Sequence, residues 1–258
     1  MSKFTITSIL FLIILFALLI QYQQDVFPGW VVFIPVVVYV SLLVVGSVII
    51  GMGFYFKSLC RSSPEDKLVA LTFDDGPDPN KTPELLDLLD RFDAPAAFFC
   101  LGEKVEKHPE IVKSMDDKDH LLGNHSYSHS PWFDLYSSRK MQDEIHRTNK
   151  AIENIIGKQP RLFRPPYGVT NPALGKAIER SGMRSVGWSL RSFDTVNKQE
   201  KVKKKLVRRT LPGTVVLFHD TSHEVTDILG FYLNWLKTNG YKVVSLEQLF
   251  EVTAYEED

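Results

Sequence analysis

Leu68-Val69-Ala70-Leu71-Thr72-Phe73-Asp74-Asp75-Gly76-Pro77 is an apolar run that ends in two adjacent carboxylates. Leu68 to Phe73 reads as a buried β-strand, and Gly76-Pro77 stops it at once. Carboxylates held side by side repel each other and lose hydration unless something positive sits with them. A metal ion, an arginine or one shared proton supplies that compensation, and each belongs to a site rather than to packing.

The chain offers such partners. His125-Ser126-Tyr127-Ser128-His129 sets two imidazoles four residues apart, a spacing that can aim both rings at one point from a single turn. Surface and capping histidines share this spacing, but Asp74-Asp75 and His219 weigh against that reading here. Two histidines and one aspartate leave coordination positions open for water and substrate, as a catalytic metal requires. Neutral imidazole and one carboxylate suit zinc, with cobalt, nickel or iron also allowed. Further on come Arg164-Pro165-Pro166-Tyr167-Gly168, then Asp194, then Leu217-Phe218-His219-Asp220 after the apolar Thr214-Val215-Val216.

These five separated motifs, in this order over about residues 66–250, resemble the NodB-type polysaccharide deacetylases, carbohydrate esterase family four. An isolated Asp-Asp-Gly or H-x-x-x-H would carry little; the ordered set carries the resemblance. It implies a distorted (β/α) barrel with fewer than eight regular strands. It also implies a hydrolase that removes N-acetyl groups from an amino-sugar polysaccharide or glycoconjugate of the N-acetylglucosamine type. By the same resemblance Asp75, His125 and His129 hold the divalent metal, which lowers the pKa of water toward about 7 and polarises the acetyl carbonyl. Asp74 is then the general base and His219 the general acid that protonates the departing amine. Arg164 pairs with Asp74 and keeps it ionised, or else serves a structural ion pair elsewhere. Asp194 tunes His219. The backbone N–H of Tyr167 is the oxyanion donor, a type of contact worth roughly 3 kcal/mol. Leu217 lines the acetyl pocket, which is compatible with ordinary strand packing.

The fourth motif departs from the family. In Trp188-Ser189-Leu190-Arg191-Ser192-Phe193-Asp194-Thr195, Arg191 and Thr195 stand where many relatives carry aspartate and tryptophan. The change removes an aromatic pocket wall and adds a positive charge, which favours an anionic or phosphate-bearing substrate. Close by, Lys201-Val202-Lys203-Lys204-Lys205-Leu206-Val207-Arg208-Arg209 reads as a helix with Val202 and Leu206 inward. Its charges form a solvated face or a contact for anionic lipid.

Around the motifs, short apolar strands alternate with helical patterns, the signature of an α/β fold with a mainly parallel sheet. Thr82 can cap a helix with Pro83 at its first position, and further helices are expected from Pro109 to Met115 and from Ser138 to Ile156, the last closing at Gly157. Strands are expected at Phe98-Phe99, Leu121-Leu122-Gly123, Leu162-Phe163, Arg184–Trp188, Val215–Phe218 and Val243-Val244. The site groups each follow an apolar strand, as they do in folds that work at strand C-termini.

The 258 residues carry 30 basic and 31 acidic side chains, so nothing global points to nucleic acid. Through Phe56 the only charged side chains are Lys3 and Asp25. Two runs there, about 4–20 and 30–56, reach membrane-spanning length, and Tyr22 and Trp30 suit an interface. A two-helix anchor over 1–60, touching membrane lipids, followed by a catalytic domain over 61–258 is the expected organisation. The bacterial cytoplasmic membrane is the expected location. The alternative for the first run is a cleaved leader, but no small-x-small site follows it. Lys3, Lys57 and Arg61 place both termini in the cytoplasm by the positive-inside rule, whereas relatives acting on wall polymers work outside. Cys60 and Cys100 give no ground for a disulfide.

Three alternatives stay open at this level. The substrate could be a lipid-linked sugar, deacetylated or deformylated at the membrane face. The bond could be an ester. A silent glycan-binding protein on the same fold would be expected to have lost the base, the acid or the metal ligands, and this chain retains all of them.

Overall fold

Asp74 and His219 end neighbouring strands in register, and that pairing organises the domain. The computed structural model describes residues 1–256. Its strands are β1 (Leu68–Gly76), β2 (Ala96–Cys100), β3 (Leu121–Asn124), β4 (Leu162–Phe163), β5 (Arg184–Ser185), β6 (Leu190–Arg191), β7 (Thr214–His219) and β8 (Lys242–Val243). All pair in parallel in the order β5-β4-β3-β2-β1-β7-β6, with β8 added at the start of β1. Helices α1 (Lys3–Gln23) and α2 (Phe33–Val48) precede the sheet. Between and after the strands run α3 (Thr82–Arg91), α4 (Gly102–Lys107), α5 (Pro109–Asp117), α6 (Ser138–Ile156), α7 (Pro172–Arg180), α8 (Gln199–Arg209), α9 (Val225–Thr238) and α10 (Leu246–Phe250). The result is the expected distorted barrel, a curled parallel half-barrel in which four of the eight strands are only two residues long.

The unbroken apolarity of β1 follows from burial on both faces. Val69, Leu71 and Phe73 point to the helical layer, in one core with Leu85, Leu89, Ile228 and Leu229. Phe73 stacks between Phe98 and Phe218, with ring centroids 4.9 and 5.6 Å away. The alternate residues face the barrel interior, where Ala70 packs with Ala97, Phe99, Leu162 and Val215. Thr72 and Asp74 continue that inner face, so the period of two that packs the strand also aims the carboxylate inward.

Several local expectations change. The span placed at 30–56 begins as a 3-10 turn (Gly29–Val32), and its α-helix ends at Val48. Beyond it Gly53 takes φ 55, and Ile50 and Phe54 bury themselves instead of continuing an exposed apolar helix. The first helix is longer than 4–20 and runs to Gln23. The strand expected over Arg184–Trp188 stops at Ser185, because the next carbonyls, of Val186 and Gly187, turn to accept from Arg164. Thr82 does not cap its own helix. It is the first residue of α3, and its hydroxyl donates to Asp220 (2.7 Å) and accepts from the Asp78 N–H (2.8 Å).

Helices α1 and α2 are long and apolar enough to cross a membrane, and almost none of their surface is buried. They lie against each other, with Phe11 stacked on Tyr39 at 4.2 Å. At its C-terminal end α2 meets the barrel: the Thr170 hydroxyl donates to the Gly46 carbonyl (3.1 Å), and the Thr170 N–H to that of Ser47 (2.9 Å). Carbonyls in the last turn of a helix lack intrahelical partners, and Thr170 supplies them.

Candidate active site

Sheet register assembles the site. Asp74 is paired with His219 on β7 and Phe99 on β2. Cys100 pairs with Asn124, just before His125, and Asn124 pairs with Phe163, just before Arg164. The carboxyl ends of five strands therefore meet around one pocket of about 320 Å³. Asp74, Asp75, His125, His129, Tyr167, Leu217 and His219 all line it, as do Trp188, Arg191 and Thr195. Arg164 and Asp194 stand behind the lining, each fixed to a residue in it.

Backbone strain concentrates here. Asp75 (φ 73), Ser126 (φ 68), His129 (φ 48), Tyr167 (φ 57) and Phe193 (φ 63) all occupy the left-handed region that L side chains avoid. Each such residue costs of order 1–3 kcal/mol, and clusters of them mark functional sites. At Asp75 the β1–β2 register shifts, so successive carboxylates turn to different tasks.

Asp74 is 3 % exposed and bound by one arginine. Arg164 is fully buried, and its Nη1 donates to Asp74 Oδ1 (2.7 Å) and to the Thr72 hydroxyl (2.8 Å). Its Nε and Nη2 donate to the Val186 and Gly187 carbonyls (3.3 and 2.9 Å). Burial lowers the Arg164 pKa, and the Asp74 charge pulls against that. Oδ1 of Asp74 is thus committed, while Oδ2 lies 3.8 Å from His125 Nε2.

Asp75, His125 and His129 each present a ligand atom to a common point. Asp75 Oδ1 lies 3.6 Å from His125 Nε2 and 3.5 Å from His129 Nε2. These spacings are long for hydrogen bonds but match the edge of a tetrahedron, about 3.4 Å, around a metal with bonds near 2.1 Å. His125 Nδ1 donates to the Arg164 carbonyl (2.8 Å), which orients the ring with Nε2 as its ligating atom. Burial, then repulsion from His125, lowers the His129 pKa and keeps that ring neutral. The residues fit a divalent cation.

The acid side is built on β7. Asp194 Oδ1 accepts from His219 Nδ1 (3.0 Å), and Oδ2 accepts from the His219 backbone N–H (2.9 Å). Burial would lower the His219 pKa. The hydrogen bond to Asp194 and the charges of Asp74, Asp194 and Asp75 outweigh it, and the net shift is upward.

Sequence reasoning passed over several supports. Thr72 bridges Arg164 to the Val216 carbonyl (2.7 Å), and Ser192 donates to Asp194 Oδ1 (2.6 Å). The histidine turn hangs on Glu144 of α6, whose carboxylate accepts from the Tyr127 and Ser128 N–H groups and the Ser128 hydroxyl. Asn124 Oδ1 accepts from the Ser126 N–H (2.9 Å). Thr72 is marked only by being polar in an apolar strand, and Glu144, on a largely polar helix, has no local signal at all. Trp188 supplies an aromatic wall on the pocket that holds Thr195, its ring seated so close to Gly168 that a Cβ there would meet it at 2.3 Å. His223 is an exposed loop residue.

The family model "Polysaccharide deacetylase" matches residues 61–186. A Bacillus cereus peptidoglycan-N-acetylglucosamine deacetylase is 36% identical over 194 residues, which span 71% of this chain and 88% of that protein. The chain belongs to the polysaccharide deacetylase family. A second deacetylase of the family, the Bacillus subtilis peptidoglycan-N-acetylmuramic acid deacetylase PdaA, is 33% identical over 199 residues, covering 75% of both. The crystal structure of the Bc1960 peptidoglycan N-acetylglucosamine deacetylase superposes with a TM-score of 0.72 at 32% identity, covering 76% of this chain and 94% of that one. The polysaccharide deacetylase described above is accordingly a hydrolase acting on an N-acetylated amino-sugar polymer.

Proposed function

We propose that this chain hydrolyses the N-acetyl amide of a cell-wall glycan of the peptidoglycan type, holding its divalent metal, zinc in the first place, on Asp75, His125 and His129. The observation that carries the reading is the placement of two differently tuned groups, Asp74 and His219, on paired strands beside that triad. A cation held there supplies Lewis acidity toward the acetyl carbonyl and lowers the pKa of water.

The chain's own residues do the rest. Asp74, with Oδ1 held by Arg164, accepts the proton of the attacking water at Oδ2. His219, with Nδ1 held by Asp194, carries its transferable proton on Nε2 and gives it to the departing amine. The elevated His219 pKa keeps the imidazolium populated for that step. The Tyr167 N–H faces the developing oxyanion, and Leu217, 2 % exposed, walls the acetyl methyl.

Helices α1 and α2 serve as a two-span anchor in the bacterial cytoplasmic membrane and contact its lipids. Their exposed apolar surface and the bond from Thr170 to the end of α2 support this reading. The catalytic domain then works close to the bilayer surface.

Acetate release from N-acetylglucosamine oligomers by the zinc- or cobalt-loaded chain tests the proposal. Release that is lost in both Asp74→Asn and His219→Ala is expected. Undiminished release in either variant would overturn the assigned roles.

A further inference from the structure

Strand β6 leaves the pocket through Arg191, and the chain turns at Phe193 before entering α8. Two cations hold the Phe193 ring: the Arg191 guanidinium carbon lies 4.9 Å from its centroid and Lys205 Nζ lies 3.8 Å from it. Beyond the ring opens a groove of about 980 Å³. Six basic side chains of the 198–209 segment line it against one carboxylate, Glu200.

This positive charge is left without counterions. Glu200 lies 3.8 Å from Lys203, which is not in the groove lining. Among the described residues no carboxylate comes within ion-pair distance of Arg191, Lys201, Lys204, Lys205 or Arg208. Burial lowers the Lys205 pKa, and crowding by Arg191, Arg209 and Lys201 lowers it further. Arg191 Nε is buried with no hydrogen-bond partner, although the same side chain lines the reacting pocket. Arg191 therefore lines the acetyl pocket and packs on Phe193, which lines the cationic groove.

We propose that the groove is an anion subsite for phosphate carried by the glycan, so that the favoured substrate is a phosphorylated amino sugar rather than a neutral one. The proposal rests on the deacetylase reading above. Four ammonium and two guanidinium groups lining one concavity suit a dianion with three acceptor oxygens better than a lone carboxylate. The Arg191–Phe193 contact is a wall between the two spaces, with Arg191 lining the acetyl pocket and Phe193 the groove, so an anion in the groove lies beside the molecule whose acetyl group is in the pocket.

The test uses the full-length, detergent-solubilised, zinc-loaded chain with an N-acetylglucosamine tetramer and the same tetramer bearing 6-O-phosphate. The ratio of kcat/KM should favour the phosphorylated substrate by about tenfold at low ionic strength and shrink in 0.5 M salt as the charges are screened. In the Lys204→Gln, Lys205→Gln, Arg208→Gln triple variant the ratio should fall toward one. A wild-type ratio near one, with acetate released from both, overturns the subsite and leaves the deacetylase intact. No release from either by metal-loaded chain overturns the underlying reading and the subsite with it. Activity that depends on anionic lipid in nanodiscs and is insensitive to substrate phosphate would assign the groove to headgroups, which also overturns the proposal.

Discussion

Asp194 holds His219 at two points, through the ring Nδ1 and through the backbone N–H of the same residue. The two contacts fix both the tautomer and the position of the imidazole on β7. Asp194→Asn puts an amide where an acceptor is needed, so kcat should fall about 10²-fold or more, the scale of general acid catalysis. The pH profile carries the sharper test. A folded pKa raised above the free value keeps the imidazolium, and the stability it contributes, fully present below the free histidine pKa; both are lost as pH rises through the folded value. Removing the leading upward contribution should move the alkaline limb of kcat to lower pH. An unchanged limb would mean that another group is the acid.

Metal and base are separable. His129→Gln and His125→Gln should each cut bound metal measured by elemental analysis, because each removes one of three ligand atoms around a common point. Asp74→Asn should retain near-stoichiometric metal while losing activity, since its Oδ1 belongs to Arg164 rather than to the triad. Loss of metal in Asp74→Asn would make Asp74 a ligand and remove it from the role of base.

Arg164 is a buried cation with four hydrogen bonds, and truncating it leaves a buried carboxylate and two carbonyls without partners. Arg164→Met should cost about 3–5 kcal/mol. In a domain of this size that lowers Tm by about 10 °C. Adding Asp74→Asn should recover part of the loss, because the orphaned charge disappears with it. Strictly additive Tm changes would show that the pair is not energetically coupled.

Much of this site was legible because its residues end strands. Apolar runs announce β1, β3 and β7, and a polar residue that follows such a run lies at the sheet's carboxyl edge, so Asp74, His125 and His219 could be placed without coordinates. The two-residue β4 and the start of β5 were legible as well, at Leu162-Phe163 and Arg184, whereas the early end of β5 is set by carbonyls that serve Arg164 and β6 by its pairing with β7, and no local period records either. Glu144 was invisible for a related reason: it sits on an amphipathic helix and acts across space on a turn many residues earlier. The basic 201–209 run was plain in sequence, but not the stacking of Lys205 and Arg191 on Phe193 that sets it beside the pocket wall, because that contact joins residues of separate elements.

The segment between the apolar helices and β1 bears on where the catalytic unit starts. Ile50 is 5 % exposed and lies against Gly187, whose carbonyl accepts from Arg164. Leu59 adds a backbone rung beside β5, donating to the Ser185 carbonyl (2.8 Å) and accepting from the Gly187 N–H (3.0 Å). Ser62 donates to the Gly213 carbonyl (3.0 Å) at the start of β7. Residues 50–62 therefore close the space between two strands of the barrel, and a unit cut at Pro64 would lose them. Burying Ile50 alone contributes about 1.5–3 kcal/mol. A chain beginning at Ile49 should stay folded and active on soluble oligomers, whereas one beginning at Pro64 should melt about 10 °C lower, with reduced activity as the Gly187 carbonyl loses its support. Equal Tm and activity in the two truncations would place the start of the catalytic unit at Pro64 or later.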